Sequence, residues 1–207
     1  MKIRDIAKQY KEYIVDLRRE FHMHPEISWQ EVRTSGRIKE ELAKLGVPYK
    51  EIAKTGVMAA IKGKYEGKTI ALRADMDALQ VKEQNKVPYC SKNVGVMHAC
   101  GHDGHTAMLL GAAKMLNEMK DGMKGTVRLF FQPAEEMAEG AYAMVEEGCM
   151  DGVDEVFGIH LWSYLEKGKI SVEAGPRMAS ADLFKIKVKG KGGHGSLPHQ
   201  GIDAVVA

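Results

Sequence analysis

The sequence predicts an α/β fold built on a mixed sheet, and three observations carry that reading. Short apolar runs bounded by glycine, at 57–61, 69–74, 126–131 and 155–159, have strand length. They are apolar throughout rather than alternating, as in a sheet covered on both faces. Helical patterns at about 102–119 and 138–147 fall between the later runs, the order of an α/β domain. The first two runs, Val57 to Lys62 and Thr69 to Arg73, flank Gly63 to Gly67 closely enough to predict a hairpin, so part of the sheet is expected to be antiparallel.

Each element has a local cause. Ile3, Ile6, Tyr10, Tyr13, Ile14, Leu17 and Phe21 recur at helical spacing and predict one amphipathic helix. It should stop near His24-Pro25, because a residue before proline is pushed out of the α region. Ser28 followed by Glu31 has the form of a capping box, and Val32, Ile38, Leu42 and Leu45 mark a second helix closed by Gly46. His22 and His24 fall at the end of the first helix, where the dipole favours an imidazole without any metal. Late in the chain, Ala181 to Gly190 alternates in strand fashion, and a further helix is expected near Ile202.

Composition narrows the function classes. The chain has 207 residues, 44% hydrophobic and 28% charged, with a formal net charge of +2. Basic and acidic residues interleave along the helices, so neither a nucleic-acid surface nor a membrane patch is expected. The charged N-terminus has no apolar run for a signal peptide, and no later stretch is long enough to span a bilayer. Cys90, Cys100 and Cys149 are too few to form a disulfide framework, which points to a reducing, cytoplasmic setting.

The chemistry concentrates in VMHACGHDGHTAM, residues 96–108, where His98, Cys100, His102, Asp103 and His105 stand among glycines and alanines. Soft and borderline ligands at this density point to a metal site. Cys100 and His102 would diverge by about 200° on a helix, so they are expected in a loop with the helix starting just after. The predicted strands also end on polar groups: Asp75 and Asp77 after the second, Glu135 and Glu136 after the third, His160 after the fourth. Ligands of open α/β sheets bind beyond the carboxyl ends of the strands, which is where these groups should gather. Taken singly, the acids could be a dipole-favoured helix start or turn caps, and His160 a core histidine. Together they supply one carboxylate to hold an ion and another to move a proton.

HACGHDGHT, RADMDAL, LFFQPAEE, GIHLW and KGKGGHGSLPH resemble, in order, the motifs of the amidohydrolase branch of the M20 metallopeptidases. That branch includes N-acyl-L-amino acid amidohydrolases (aminoacylases), hippurate hydrolases and plant hydrolases of auxin–amino acid conjugates. The resemblance runs from Leu17 to the last residue. It implies a zinc-peptidase-like catalytic domain interrupted by a smaller α/β lid that carries a dimer interface, with residues 1–178 as catalytic portion and 179–207 as the start of the lid. It implies two divalent metal ions, with Cys100, His102, Glu136 and His160 as ligands and Glu135 as the general base on a metal-bound water. The same carboxyl would return the proton to the leaving amine. By motif position Asp77 would orient a metal ligand, Asp75 standing where the wider family has a histidine. His194 would reach from one subunit's lid into the partner's active site and stabilise the oxyanion.

The implied activity is hydrolysis of the amide bond of a small N-acyl amino acid by a homodimer or homo-oligomer. Cysteine, imidazole and carboxylate together admit zinc, manganese, nickel or cobalt. Relatives continue beyond the position of Ala207 to a last metal-binding histidine, so the sequence as given is expected to lack one ligand and most of the lid. Two alternatives therefore stand: a dinuclear dipeptidase or aminopeptidase of the same superfamily, and an inactive metal-binding fragment. Cys100 in place of a bridging aspartate favours the amidohydrolase branch. Gln80, where the family has proline after the DMDAL run, bears on loop rigidity.

Overall fold

In the sheet, the pairing of the predicted strands is where this molecule departs most from expectation. The computed structural model describes residues 3–180, 182 and 184–206. Its chain divides into two units, Met1–Tyr164 and Leu165–Ala207. In the first unit the elements run α1 (Ile3–Gln9), α2 (Lys11–Met23), α3 (Val32–Lys44), β1 (Tyr49–Ile52), β2 (Gly56–Lys62), β3 (Tyr65–Asp75), α4 (His102–Met119), β4 (Lys124–Gln132), α5 (Gly140–Glu146) and β5 (Glu155–Gly158). They form one five-stranded sheet in the order β1-β2-β4-β3-β5.

The predicted hairpin between Val57–Lys62 and Thr69–Arg73 does not form. β4 enters between them, antiparallel to β2 and parallel to β3, with Val57 opposite Phe131 and Asp75 opposite Gln132. The antiparallel part of the sheet comes instead from β1, β2 and β4, and β5 pairs parallel with β3. Glycines carry the crossing. Gly125, at φ +78, lies so close to the backbone of Lys68 that a Cβ would strike its carbonyl oxygen at 2.0 Å.

Alternation along β4 divides the core. Leu129 and Phe131 pack with Leu17 and Phe21 of α2, Ile38 and Leu42 of α3, and Leu110 and Ala113 of α4. Phe130 points the other way, to Ala71 of β3, Met144 of α5 and Cys149. Core thus lies on both faces of the central strands, in agreement with runs that are apolar throughout, whereas all four residues of β5, at the sheet edge, are exposed.

Two helix ends also differ from the sequence reading. Tyr10 interrupts the first amphipathic stretch, so α1 and α2 are separate helices, α2 ending at Met23 just before His24-Pro25. The Ser28–Glu31 capping box is not made. The first amides of α3 are held by Glu26, whose carboxylate accepts from the N–H groups of Arg33 at 3.0 Å and Thr34 at 2.8 Å. Ser28 and Glu31 are used elsewhere, as described below.

In the second unit the described residues contain a short 3-10 turn at Pro198–Gln200 and a bridge of two 2.9 Å backbone hydrogen bonds between Lys191 and Ile202. Of the strand predicted over Ala181–Gly190, Ala181 and Leu183 lie outside the described residues, and 184–190 form no strand. The helix expected near Ile202 is replaced by the bridge and a turn. Alternation marks a face that can be buried, but a strand also needs a neighbour to complete its hydrogen bonds. No helix of the described residues is long and apolar enough to cross a membrane.

Candidate metal centre

The carboxyl ends of β3, β4 and β5 and the start of α4 meet in one place, and each element delivers its polar residues for a local reason. β3 ends at Asp75, and the chain continues through Met76 to Asp77, all three buried. Gly101, in the left-handed region at φ +94, turns the chain from Cys100 into α4, so that His102 is the first helical residue rather than part of the loop. After β4, Ala134 and Ala138 also take positive φ, +46 and +55. For residues carrying a Cβ this is a strained backbone, and it bends Glu135 and Glu136 back over the sheet edge.

His102 is the centre of the arrangement. Its Nδ1–H donates to Asp77, with the carbonyl oxygen at 3.0 Å and Oδ1 at 3.3 Å. That bond fixes the tautomer and leaves the Nε2 lone pair free. Nε2 lies 3.6 Å from Asp75 Oδ1 and 3.8 Å from both Glu135 Oε2 and Glu136 Oε1. Cys100 Sγ is 3.4 Å from His160 Nε2. Three sets have ligand atoms within 4.8 Å of one another: Cys100, His102 and His160; Asp75, His102 and His105; His102, Glu135 and Glu136. His102 belongs to all three.

Negative charge dominates here. Burial pushes the Cys100 thiol up, and the charge of Glu136, its hydrogen bond and the neighbouring Glu135 and Asp75 add to it, reaching about 12. Burial together with Glu135 raises Glu136, against the pull of His102. Burial disfavours the charged form of His102 too, yet its bond to Asp77 and the surrounding carboxylates outweigh this and raise its pKa. Asp75 is held at about 2, since the hydrogen bond from His105 and the charges of Arg73 and the imidazoles overcome its burial. His102 Nε2 and Glu136 Oε1 are buried without a hydrogen-bond partner among the described residues. A buried lone pair and a buried carboxylate oxygen, beside a thiol and a second imidazole, fit a divalent cation. A cation among these groups would also favour the thiolate that burial and the acids disfavour.

Of the residues singled out from sequence, the structure brings together Cys100, His102, Glu135, Glu136 and His160. His194 belongs to the second unit, where its Nδ1 accepts from the N–H of Ser196 at 3.2 Å. His22 and His24 stand outside the three ligand sets. His22 is buried between Asp103 at 2.7 Å and Glu83 at 3.1 Å, and His24 Nδ1–H donates to the Glu20 carbonyl at 2.9 Å.

Asp77 was expected to orient a metal ligand, whereas the supporting parts of Ser28 and Glu31 were not readable as such. Asp77 accepts from the Ser28 hydroxyl at 2.7 Å and the Glu136 N–H at 3.1 Å as well as from His102, so one carboxylate orients two groups of the centre. Fully buried Glu31 accepts from Thr55 Oγ1 at 2.7 Å and the Ala134 N–H at 2.8 Å, holding the strained turn before Glu135. The polarity of Ser28 and Glu31 was the available signal, but it pointed first to a helix cap.

Residues 71–203 match the sequence profile of peptidase family M20/M25/M40. Over 205 residues the chain is 50% identical to the N-acyl-L-amino acid amidohydrolase of Geobacillus stearothermophilus, covering 98% of this chain and 55% of that protein. It is 47% identical to the N-acetylcysteine deacetylase of Bacillus subtilis, covering 97% and 53% of the two. A solved Bacillus subtilis protein, described as a dinuclear metal binding peptidase from the M20 family, superposes with a TM-score of 0.79 at 46% identity, over 82% of this chain and 48% of that one. The chain spans about half the length of the curated relatives it matches. With the profile covering most of its length and the convergent cysteine, histidines and glutamates within it, the chain belongs to peptidase family M20/M25/M40.

Proposed function

We propose that this chain carries the metal centre of an amidohydrolase that cleaves the amide bond of N-acyl amino acids, releasing a carboxylic acid and a free amino acid. The observation that carries the reading is the unpartnered Nε2 of His102, set among Glu135, Glu136, Asp75 and the Cys100–His160 pair. Relatives named as an amidohydrolase and a deacetylase of acyl amino acids support the substrate class.

Cys100, His102, Glu136 and His160 would hold the metal, two divalent ions of zinc, manganese, nickel or cobalt. When bound, the metal supplies Lewis acidity toward the amide carbonyl and lowers the pKa of water toward 7. The residues do the rest. Glu136 is suited to holding a cation, since its buried Oε1 has no hydrogen-bond partner among the described residues and its backbone is tied to Asp77. Glu135, with its side chain 39% exposed, is suited to moving a proton. Its carboxylate takes a proton from the attacking water as oxygen bonds to the carbonyl carbon, then gives that proton to the amine nitrogen as the C–N bond breaks. Residues 179–207 are read as the start of a lid, from which His194 would stabilise the oxyanion in a partner's site within a homodimer or homo-oligomer. Free Cys90, Cys100 and Cys149 agree with a reducing, cytoplasmic setting.

The test is metal content and hydrolysis of N-acetyl, N-benzoyl and dipeptide substrates by the 207-residue chain and by any longer natural form. Glu135→Gln should abolish hydrolysis with little loss of metal, whereas Glu136→Gln should lose metal as well. Equal metal loss in both would reverse the assignment, and turnover of dipeptides alone would move the chain to the dipeptidase reading. Metal binding without turnover in every form would make it a metal-binding protein.

A further inference from the structure

The His105 imidazole has both nitrogens committed to groups of the protein. Nδ1–H donates to Asp75 Oδ1 at 2.5 Å, and Nε2 accepts the backbone N–H of Leu161 at 2.9 Å. Leu161 directly follows His160, and its carbonyl accepts the Nδ1–H of His160 at 2.6 Å. The His105 and His160 rings meet edge to face with centroids 4.7 Å apart. The Leu161 side chain also lies against α4, so close that a Cβ on Gly104 would meet its Cδ1 at 2.7 Å. Leu161 is thus gripped by its amide, its carbonyl and its side chain, and two of the three grips come from the first turn of α4.

We infer that His105 is a positioning residue: held by Asp75, it fixes the Leu161 amide and so aims His160 Nε2 at Cys100 without binding metal itself. The alternative, a second metal held by Asp75, His102 and His105, fails on lone pairs. In the tautomer that the Leu161 N–H requires, Nε2 is occupied and Nδ1 carries a proton. Arg73 ion-pairs with Asp75 and donates from Nε to Gln132 at 2.8 Å, so the chain of contacts runs from the sheet through Asp75 and His105 to the loop after β5. Such outer partners of a ligand typically alter metal affinity by about 10- to 100-fold. The inference rests on the metal-centre reading above.

Two measurements on the 207-residue chain test it. In metal-free, 15N-labelled protein, a scalar coupling across the hydrogen bond between the Leu161 amide nitrogen and His105 Nε2 should be detectable; its absence overturns the proposal without any variant. Titration with Co2+, followed by the thiolate charge-transfer band of Cys100, then compares two substitutions. The amide of asparagine reaches the position of Nδ1 but not that of Nε2, so His105→Asn should keep Asp75 and lose Leu161, weakening Co2+ binding about 10- to 100-fold. The longer His105→Gln places an acceptor near Nε2 and should restore affinity and Leu161 amide protection together. A folded asparagine variant with wild-type Co2+ affinity overturns the positioning role alone, as does a glutamine variant that regains Leu161 protection but not affinity. A wild-type chain that shows the coupling yet binds no Co2+ overturns the metal-centre reading, and the positioning role with it.

Discussion

Replacing Asp77 by asparagine tests the hub on which the metal centre turns. The carboxylate accepts on both oxygens: Oδ1 faces His102 Nδ1–H, and Oδ2 faces the Ser28 hydroxyl and the Glu136 N–H. An amide can present oxygen to only one of these sides. If its NH2 faces His102, one of its N–H groups is set against the Nδ1–H, and only the Asp77 backbone carbonyl is left to hold the tautomer that keeps the Nε2 lone pair free for a cation. If it faces Glu136, a backbone N–H is stranded beside a second donor. Either outcome loses a hydrogen bond to a charged group, about 1.5–3 kcal/mol, and 1.4 kcal/mol is a factor of ten. Zn2+ affinity, measured by competition with a chromophoric chelator near pH 7, should therefore fall by about 10- to 100-fold. Circular dichroism on the same samples establishes that the fold is intact. A folded Asp77→Asn variant with wild-type affinity and an unchanged His102 tautomer by 15N NMR would refute the argument.

Three other expectations follow from the same structure. Glu41, its side chain 7% exposed, is pushed up by burial but pulled down further by Lys44, Tyr13 and Arg37, to about 2 from 4.5. A depressed carboxylate pKa stabilises the fold above the ordinary value and ceases to do so as pH falls toward the folded one. Glu41→Gln should thus cost on the order of 3 kcal/mol near neutrality, a gap in urea-unfolding free energy that closes between about pH 4.5 and 2; a pH-independent gap would count against it. Gly140→Ala places a Cβ 1.6 Å from the Pro133 carbonyl oxygen and should destabilise by at least about 1–3 kcal/mol while weakening metal binding. The control Gly36→Ala, with nothing within 4 Å, should stabilise by about 0.4–1 kcal/mol, and equal behaviour of the two in thermal melts would contradict the crowding argument. Adding Zn2+ at a hundredfold over Kd should stabilise by about 2.7 kcal/mol, roughly 5–11 °C in Tm for a chain of this size, reversed by chelation; no shift would argue against a folded-state site.

Much of this was legible because the responsible forces are local. The runs at 69–74 and 126–131 lie within β3 and β4, and α4 has the predicted bounds, since apolar spacing reports what must be buried. The rule that ligands gather at strand ends located Asp75, Asp77, Glu135, Glu136 and His160 for the same reason. What stayed hidden depends on distant partners. An unbroken apolar run says that β2 is covered but not that β4, some 70 residues on, lies beside it. β1, with three of its four residues exposed, carries almost no burial signal. Glu31 reads as a cap until its partner Ala134 is known, 103 residues away, and His105 reads as a ligand until Leu161 is seen on its Nε2.

The place of β4 has a consequence for synthesis. Its two neighbours, β2 and β3, both precede it in the chain, and they pair with each other nowhere in the sheet. Until residues 124–132 have been made, neither β2 nor β3 can complete its hydrogen bonds to β4, and Val57, Ala59 and Ile61 lack their core neighbours Leu129 and Phe131. Unpaired edges of that kind invite pairing with other chains. Pairing of Lys124–Gln132 therefore does two things at once: it fills the sheet between β2 and β3, and, with Gln132 opposite Asp75, it brings the Glu135–Glu136 turn to the end of β3.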